Sequence, residues 1–436
     1  MRPRKPHPYL TIILSFAGVI AVGTLLLLLP VSSASAKPVK PLTALFSATS
    51  AVCVTGLSVI DISAELSGFG QTVMALLMEI GGLSIITVAV FVFTVIGGRI
   101  GIYERFLLRE SLGQDSAGTV TKLVMKIVSI ALVIQSAGLI LNFGAFLLTY
   151  PGEPLKALKF AAFHTVSAYN NAGFDIFGPN SMQSMRNNIP VNLSTAFMII
   201  SGGIGFPVIS ELISKHKNKY ITLNTKLCLI STAVLIISGT LAIKLLGGFG
   251  WLESFFTSVT SRTAGFSTLD LSVLSEKPAV YAVVIGLMVT GACPCSTGGG
   301  IKTTTIAVIL LAVCFYAVNR KTHAFGRNIP ESVIFKAFVL LTVAVMIIST
   351  GTLVLSAIQP ELGLDRILFE VVSAFSTTGL SMGITSSLSS ASRIVIIILM
   401  FIGRLGPLTV ISMVNRNWMT AGDDPVTYPD GNILVG

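Results

Sequence analysis

The chain has 436 residues, of which 53% are hydrophobic and only 11% charged, with a formal net charge of +10. A soluble domain is about 25% charged, so too little polar surface exists here to cover a water-soluble globule. Nor does the positive charge point to nucleic acid, because it gathers at one end of successive apolar runs: Arg2, Arg4 and Lys5; Arg99, Arg105 and Arg109; Lys215, Lys217 and Lys219; Arg320, Lys321 and Arg327. That is the positive-inside pattern of a multi-pass membrane protein, with all four clusters in the cytoplasm.

The first apolar run covers residues 10–29, a length that crosses a hydrocarbon core of about 30 Å. It follows a basic stretch and precedes Ala34-Ser35-Ala36, as in a signal peptide. A signal core is usually about 7–15 residues, and this run is longer, so we read it as the first span. A short amphipathic segment, 41–53, comes next, and then a second long run, 73–96. The same order recurs three times: 123–148, 155–168 and 191–213; 227–246, 251–260 and 279–318, the last with an interruption; 333–358, 364–375 and 394–414. The units are residues 1–98, 99–214, 215–320 and 321–436, and nothing reads as a separate soluble domain.

Each short segment leads into a glycine-bearing turn: Val54-Thr55-Gly56, Asn171-Ala172-Gly173, Thr263-Ala264-Gly265 and Thr377-Thr378-Gly379. Ten residues before each glycine stands a phenylalanine: Phe46, Phe163, Phe255 and Phe369. At about 1.5 Å per helical residue, the short segments reach only partway into the bilayer, so the chain must leave on the side it entered. With the basic loops inside, that side is outside. The expected fold is an all-α membrane protein of four M1–pore-helix–M2 repeats around one pseudo-fourfold pore. It has eight spans, four re-entrant half-helices and both termini in the cytoplasm.

Non-helical backbone at membrane depth is tolerated where it is surrounded by protein or lines a water-filled cavity. The four turns must therefore face one another. Their carbonyls can replace the hydration shell of a monovalent cation, and glycine reaches backbone angles that other residues avoid. A half-helix descending from outside also points its negative dipole end at the pore centre, which disfavours anions.

The interruption in the third unit, residues 291–302, contains Pro294 and the run Gly298-Gly299-Gly300. Within a helix, Gly costs about 1 kcal/mol and Pro about 3 relative to Ala, so the helix is broken here and lines a cavity. It is not a phosphate loop, because Ile301 separates Gly300 from Lys302 where Gly-Lys must be adjacent. Cys53, Cys228, Cys293, Cys295 and Cys314 make no disulfide framework. Cys293-Pro294-Cys295 lacks the second pair or nearby His of a metal site.

Arg404 lies inside the last apolar run. It reads either as a functional intramembrane charge or as a helix-end arginine snorkelling to the interface. Arg262, beside the third turn, is expected to pair with a carboxylate, since an unpaired buried charge is costly. Asp61, Glu65, Asp175 and Asp270 follow the turns and either attract cations or are ordinary solvated loop residues.

The stretches Ala-Val-Cys-Val-Thr-Gly-Leu (51–57), Ser-Ala-Tyr-Asn-Asn-Ala-Gly-Phe (167–174), Ser-Arg-Thr-Ala-Gly-Phe (261–266) and Ser-Ala-Phe-Ser-Thr-Thr-Gly-Leu (373–380) resemble the Trk/Ktr/HKT superfamily of potassium transporters. The resemblance covers nearly the whole chain. It is closest to the KtrB branch, because only nine residues precede the first run, whereas TrkH subunits usually carry extra N-terminal helices. The ending Tyr428-Pro429-Asp430-Gly431 fits that branch too.

The resemblance implies potassium uptake across a bacterial plasma membrane, without enzymatic activity. Potassium is the substrate, held near Thr55, Asn171, Thr263 and Thr377, and no cofactor is carried by this chain. Gly56 favours potassium, since some plant relatives with serine there prefer sodium. The loop 291–302 is implied to gate the pore through Cys295, Gly298, Gly299, Gly300 and Lys302, with Arg404 facing the pathway. Cys293 and Cys295 depart from the small residues expected in that loop. A homodimer and a cytoplasmic KtrA-like ring that binds ATP or ADP are implied as well. A sodium- or proton-coupled transporter is the alternative and would use Glu79 or Lys244. A membrane enzyme would need convergent His, Ser or acidic groups at one depth, and of the four histidines only His164 lies near a pore segment.

Overall fold

The computed structural model describes residues 8–95, 120–214 and 221–406. The basic clusters near residues 2–5, 99–109 and 215–219, the end of the last apolar run and the 428–431 tail lie outside the described residues. Among the described residues, four helices are long and apolar enough to cross a membrane: α1 (Pro8–Leu28), α5 (Val120–Thr149), α9 (Leu223–Gly247) and α13 (Glu331–Ile358). Each opens one unit. They turn large apolar side chains outward, among them Leu25 (65% exposed), Ile140 (72%), Leu245 (79%) and Leu353 (72%). In water such a surface would aggregate. Against lipid tails it needs no cover.

A short helix follows each long one: α2 (Pro41–Val52), α6 (Pro154–Tyr169), α10 (Trp251–Thr260) and α14 (Leu364–Phe375). Proline opens α2 and α6 at the position where a missing N–H costs nothing. Glu253 caps α10 by accepting the Gly250 N–H. Phe46, Phe163 and Phe369 are buried and Phe255 half-buried, so the recurring phenylalanine is a packing residue of these helices.

In the first two units the second helix differs from the sequence expectation. Residues 73–96 and 191–213 were expected as continuous runs. The first is broken between α3 (Gly68–Gly82) and α4 (Ile85–Val95), the second between α7 (Ile189–Gly203) and α8 (Phe206–Ser214), which are bent by 94°. The cause is local. Ser84 and Gly205 adopt φ of +72° and +98°, which end a right-handed helix. The third unit breaks as expected, between α11 (Pro278–Val289) and α12 (Thr303–Ala317). In the fourth, α15 (Ser390–Leu405) stops before Gly406 at φ +84°. A small antiparallel hairpin, β1 (His323–Ala324) with β2 (Arg327–Asn328), is the one pair of strands in the described residues.

The units close into a ring. Each short helix packs on its own long helix and on the second helix of the preceding unit: α6 on α3, α10 on α7, α14 on α11, and α2 on α15 of the fourth unit. Three glycines permit the close approach within units. The Cα of Gly81, Gly202 and Gly403 lies so near the carbonyl oxygen of Val52, Tyr169 and Phe375 that no Cβ would fit. Those three carbonyls belong to the last residues of α2, α6 and α14.

Candidate ion pathway

The four glycine turns meet on the ring axis. In each, the residue two before the glycine is left-handed: Val54 (φ +56°), Asn171 (+56°), Thr263 (+70°) and Thr377 (+50°). The glycines Gly56, Gly173, Gly265 and Gly379 have φ of +93°, +71°, +82° and +88°, and the residue between keeps an ordinary negative φ. Side chains rarely adopt these angles, so the conformation is imposed by the surroundings. In units one, two and four the turn bonds back to its helix in the same way, Thr55 N to Ser50 O (2.8 Å), Ala172 N to Ser167 O (2.8 Å) and Thr378 N to Ser373 O (2.9 Å). The third departs, with Ala264 N donating to Thr260 O at 2.9 Å.

Each glycine lies against the next unit's turn. A Cβ on Gly173 would stand 2.7 Å from the carbonyl oxygen of Ala264. The corresponding neighbours are Ala172 O for Gly56, Thr378 O for Gly265 and Thr55 O for Gly379. The circuit thus runs through all four units and returns to the first. The predicted ring residues are all brought together, with Val54, Thr55, Asn171, Ala172, Thr263, Ala264, Thr377 and Thr378 buried. The hydroxyls of Thr55, Thr263, Thr377 and Thr378 have no hydrogen-bond partner, which is unusual for buried groups. The Asn171 amide is different, since its nitrogen is placed to donate to Ala168 O and Ile199 O.

Outside the ring is an open cavity of about 540 Å³, lined by the four glycines and by Asp61, Glu65, Asp175 and Asp270. Asp61 accepts from Ser63 N at 2.8 Å and Asp270 from Ser272 N at 3.0 Å, so both also cap local turns. Those bonds from Ser272 hold the Asp270 carboxyl below its ordinary value. Asp175 behaves oppositely. Burial pushes it up to about 6, against the hydrogen bonds from Ser181 and Phe177, and the nearby Asp61 pushes the same way.

Directly inside the ring sits the loop of residues 290–302. A Cβ on Gly298 would strike the Thr263 hydroxyl and one on Gly299 the Thr377 hydroxyl. Thr297 donates its hydroxyl to Tyr169 O (3.1 Å), and its N–H to Gly202 O (3.3 Å). Cys293 N donates to Gly203 O (3.0 Å), and Phe206 N to Cys295 O (3.0 Å). Lys302 folds back and donates to Gly298 O (2.8 Å). Arg404 donates to the carbonyls of Thr297, Gly81 and Gly82. The arginine therefore lies between the loop of the third unit and the end of α3. Neither Arg404 nor Lys302 has a carboxylate partner among the described residues.

The expectation that Arg262 pairs with a carboxylate is corrected. It is buried and donates to the backbone and hydroxyl oxygens of Thr232, both at 3.4 Å. No acidic residue reaches it among the described ion pairs. The space behind the third turn is filled instead by Thr232 and Cys293, whose sulfur accepts from the Thr303 hydroxyl at 3.2 Å. All five cysteines are free thiols.

Sequence reasoning missed the buried carboxylate Glu370 and weighed Glu79, which is half-buried, only as a coupling residue, yet both support the turns. Glu370, in α14, accepts from Ser381 Oγ at 2.8 Å and from the Thr385 hydroxyl, tying the fourth short helix to the loop beyond its turn. Glu79 accepts from Gln135 and Asn170. An acid inside an apolar stretch was the available signal for both. His164 is a packed core residue, with Nε2 2.7 Å from the Thr195 hydroxyl and its ring against Phe146, Phe177 and Phe266.

A family model of cation transport proteins, TrkH, matches residues 1–247 and 227–417 of this chain. The chain is 37% identical over 438 residues to the Ktr system potassium uptake protein B of Bacillus subtilis, covering 97% of this chain and 95% of that protein. It is 35% identical to the Ktr system potassium uptake protein B of Vibrio alginolyticus, covering 98% and 94%. It is 34% identical to the potassium/sodium uptake protein NtpJ of Enterococcus hirae, covering 99% and 98%. The crystal structure of the potassium transporter TrkH from Vibrio parahaemolyticus superposes with a TM-score of 0.73 at 19% identity, covering 96% of this chain and 87% of that one. The closed ring of re-entrant helices and the match along nearly the whole sequence make one statement: this chain is a member of the TrkH family of cation transport proteins.

Proposed function

We propose that this chain takes up potassium across a bacterial plasma membrane through the central ring. The observation that carries this reading is the circuit of four glycine turns, each set against the carbonyl of the next. Such a ring offers carbonyl oxygens in place of water to a dehydrated monovalent cation. The unpartnered threonine hydroxyls add polar atoms to it, those of Thr263 and Thr377 at its inner face. Each unit supplies two spans, which gives eight spans with both termini inside. Potassium then moves down its electrochemical gradient. A unit charge gains about 2.3 kcal/mol per 100 mV, so accumulation needs no nucleotide hydrolysis by this chain.

The loop at 290–302 is the gate in this reading. It occupies the path directly inside the ring, and its attachments are hydrogen bonds to small, flexible segments, which can be exchanged for water. Arg404 and Lys302 hold it closed and add positive charge where a cation would leave the ring. This reading expects a homodimer and a nucleotide-binding cytoplasmic ring of the KtrA kind to complete the system.

The coupled-transporter alternative has less to work with. Glu79 is engaged by two amides. Lys244 donates to Phe249 O at 2.6 Å and lies over Trp251, at the end of α9. The test is potassium and sodium flux into proteoliposomes holding the purified chain, together with rescue of bacteria deficient in potassium uptake. Potassium-selective flux that needs no opposing ion gradient is expected. Flux that requires a sodium or proton gradient would overturn the channel-like reading.

A further inference from the structure

Glu79 lies in the last turn of α3, just before the break at Leu83 and Ser84. Its two carboxylate oxygens accept from different elements of the second unit. Oε1 takes the amide of Gln135 in α5 at 2.8 Å, and Oε2 takes the amide of Asn170 at 2.6 Å. Asn170 caps α6 and immediately precedes Asn171, the left-handed residue that begins the second turn of the ring. The same amide also donates to Val166 O at 2.9 Å, so its orientation is fixed from two sides. Gly82 packs flat on the Asn170 side chain, where a Cβ would come within 2.9 Å of Asn170 Cβ.

The corresponding positions in the other turns are Cys53, Arg262 and Ser376. None is tied to a carboxylate among the described contacts: Arg262 is held by Thr232 and the Ser376 hydroxyl has no partner. The second turn alone is braced by an acid from the neighbouring unit. That acid sits on the helix end whose Gly81 and Gly82 carbonyls receive Arg404.

We propose that Glu79 is a positioning residue for selectivity: through Asn170 it fixes the second turn of the ring, and so the spacing that distinguishes potassium from sodium. This rests on the reading of the ring as a selectivity filter. A polar group at this depth has few alternative partners, and leaving one of the two N–H donors of the buried Asn170 amide unmet costs enough to shift the turn. The carboxylate itself need not be charged to do this. A glutamine in its place can accept from Asn170 and donate to the Gln135 oxygen once that amide turns over.

The experiment compares potassium and sodium flux, per folded protein in proteoliposomes, for the parent, Glu79→Gln, Glu79→Ala, Asn170→Ala and the double alanine variant. The parent is measured first, and a parent without potassium preference removes the filter reading itself. Given a selective parent, the inference expects E79A and N170A each to lower the potassium-to-sodium ratio about tenfold. The double variant should be no worse than either, and E79Q should stay near the parent. If E79A does not insert, N170A carries the same test from the other partner. Unchanged ratios with less folded protein would reduce Glu79 to a packing contact. An E79Q variant as impaired as E79A would assign the effect to charge. Either result overturns the proposal.

Discussion

Arg404 and Thr297 are 107 positions apart, yet the guanidinium of one donates to the backbone carbonyl of the other directly inside the ring. The contact is matched on the far side of the same guanidinium by the carbonyls of Gly81 and Gly82. One side chain from the fourth unit thus joins the loop of the third to the broken helix of the first. Only arginine, with donors spread over a planar fork, can serve three carbonyls at once in this geometry.

Substitution of Arg404 follows from that contact. Arg404→Ala removes both the positive charge and the tether, so potassium flux should rise by at least about tenfold, the equivalent of a single charge-assisted bond of about 1.5 kcal/mol. Arg404→Lys keeps the charge but serves fewer carbonyls, and should fall between alanine and the parent. Flux in proteoliposomes at equal protein content is the measurement. Equal flux for all three proteins would leave Arg404 as a structural anchor.

Deleting residues 295–299 removes the part of the loop that lies under Thr263 and Thr377. Flux should rise several-fold while the preference for potassium is retained, because the ring's own hydrogen bonds return to its short helices. Dependence on a cytoplasmic regulatory ring should weaken in parallel. A drop in flux, or loss of selectivity with unchanged flux, would recast the loop as a support of the ring.

Much of this arrangement is legible in the sequence because it depends on backbone conformation. Gly56, Gly173, Gly265 and Gly379 had to be glycine for the turns to form, and the apolar runs had to be long enough for lipid. The breaks at Ser84 and Gly205 were not legible, since Gly81-Gly82 and Gly202-Gly203 read as ordinary glycines of a membrane helix until the approach to Val52 and Tyr169 is known. The partner of Arg262 was misjudged for a related reason. Pairing with an acid is the general rule for buried charges, but here two oxygens of Thr232 were at hand. Glu370 and Glu79 needed the fold, because their partners lie on other elements or beyond the turn.

Gly403→Val tests the close packing of the fourth unit. Its Cα is pressed on the carbonyl of Phe375, with no room for a Cβ. A branched side chain there must push α15 away from α14, which also moves Arg404, the next residue. Overpacking of this kind costs about 1–3 kcal/mol. The variant should lose thermal stability in detergent and leak through the displaced loop. A variant with the parent's melting temperature and closed-state flux would contradict the packing account.

Gly56→Ser tests the ring itself. The residue has φ +93° and faces the carbonyl of Ala172, so a side chain is strained there and displaces a neighbouring oxygen. The ratio of potassium to sodium uptake should fall at least several-fold, with total flux less affected. An unchanged ratio in a normally folded variant would remove Gly56 from the pathway.

Asp175 gives the pathway a pH dependence from outside. An unperturbed aspartate titrates near about 3.9, whereas burial moves Asp175 up to about 6. In the folded protein it is ionised above that value and takes up a proton as the external pH falls through it. Between the two values the folded chain binds the proton and the unfolded chain does not. Stability therefore gains from protonation as pH falls, and ionisation at neutral pH is maintained at a cost. Neutralising Asp175 leaves Asp61, Glu65 and Asp270 in the outer cavity, with Asp270 held ionised by Ser272. Attraction for cations should then weaken but not vanish. Uptake at limiting potassium should fall about two- to threefold when the external pH is lowered from about 7.5 to about 5. Asp175→Asn should show the lower rate at both values and lose the step near pH 6. A step that persists in the asparagine variant would place the titrating group elsewhere.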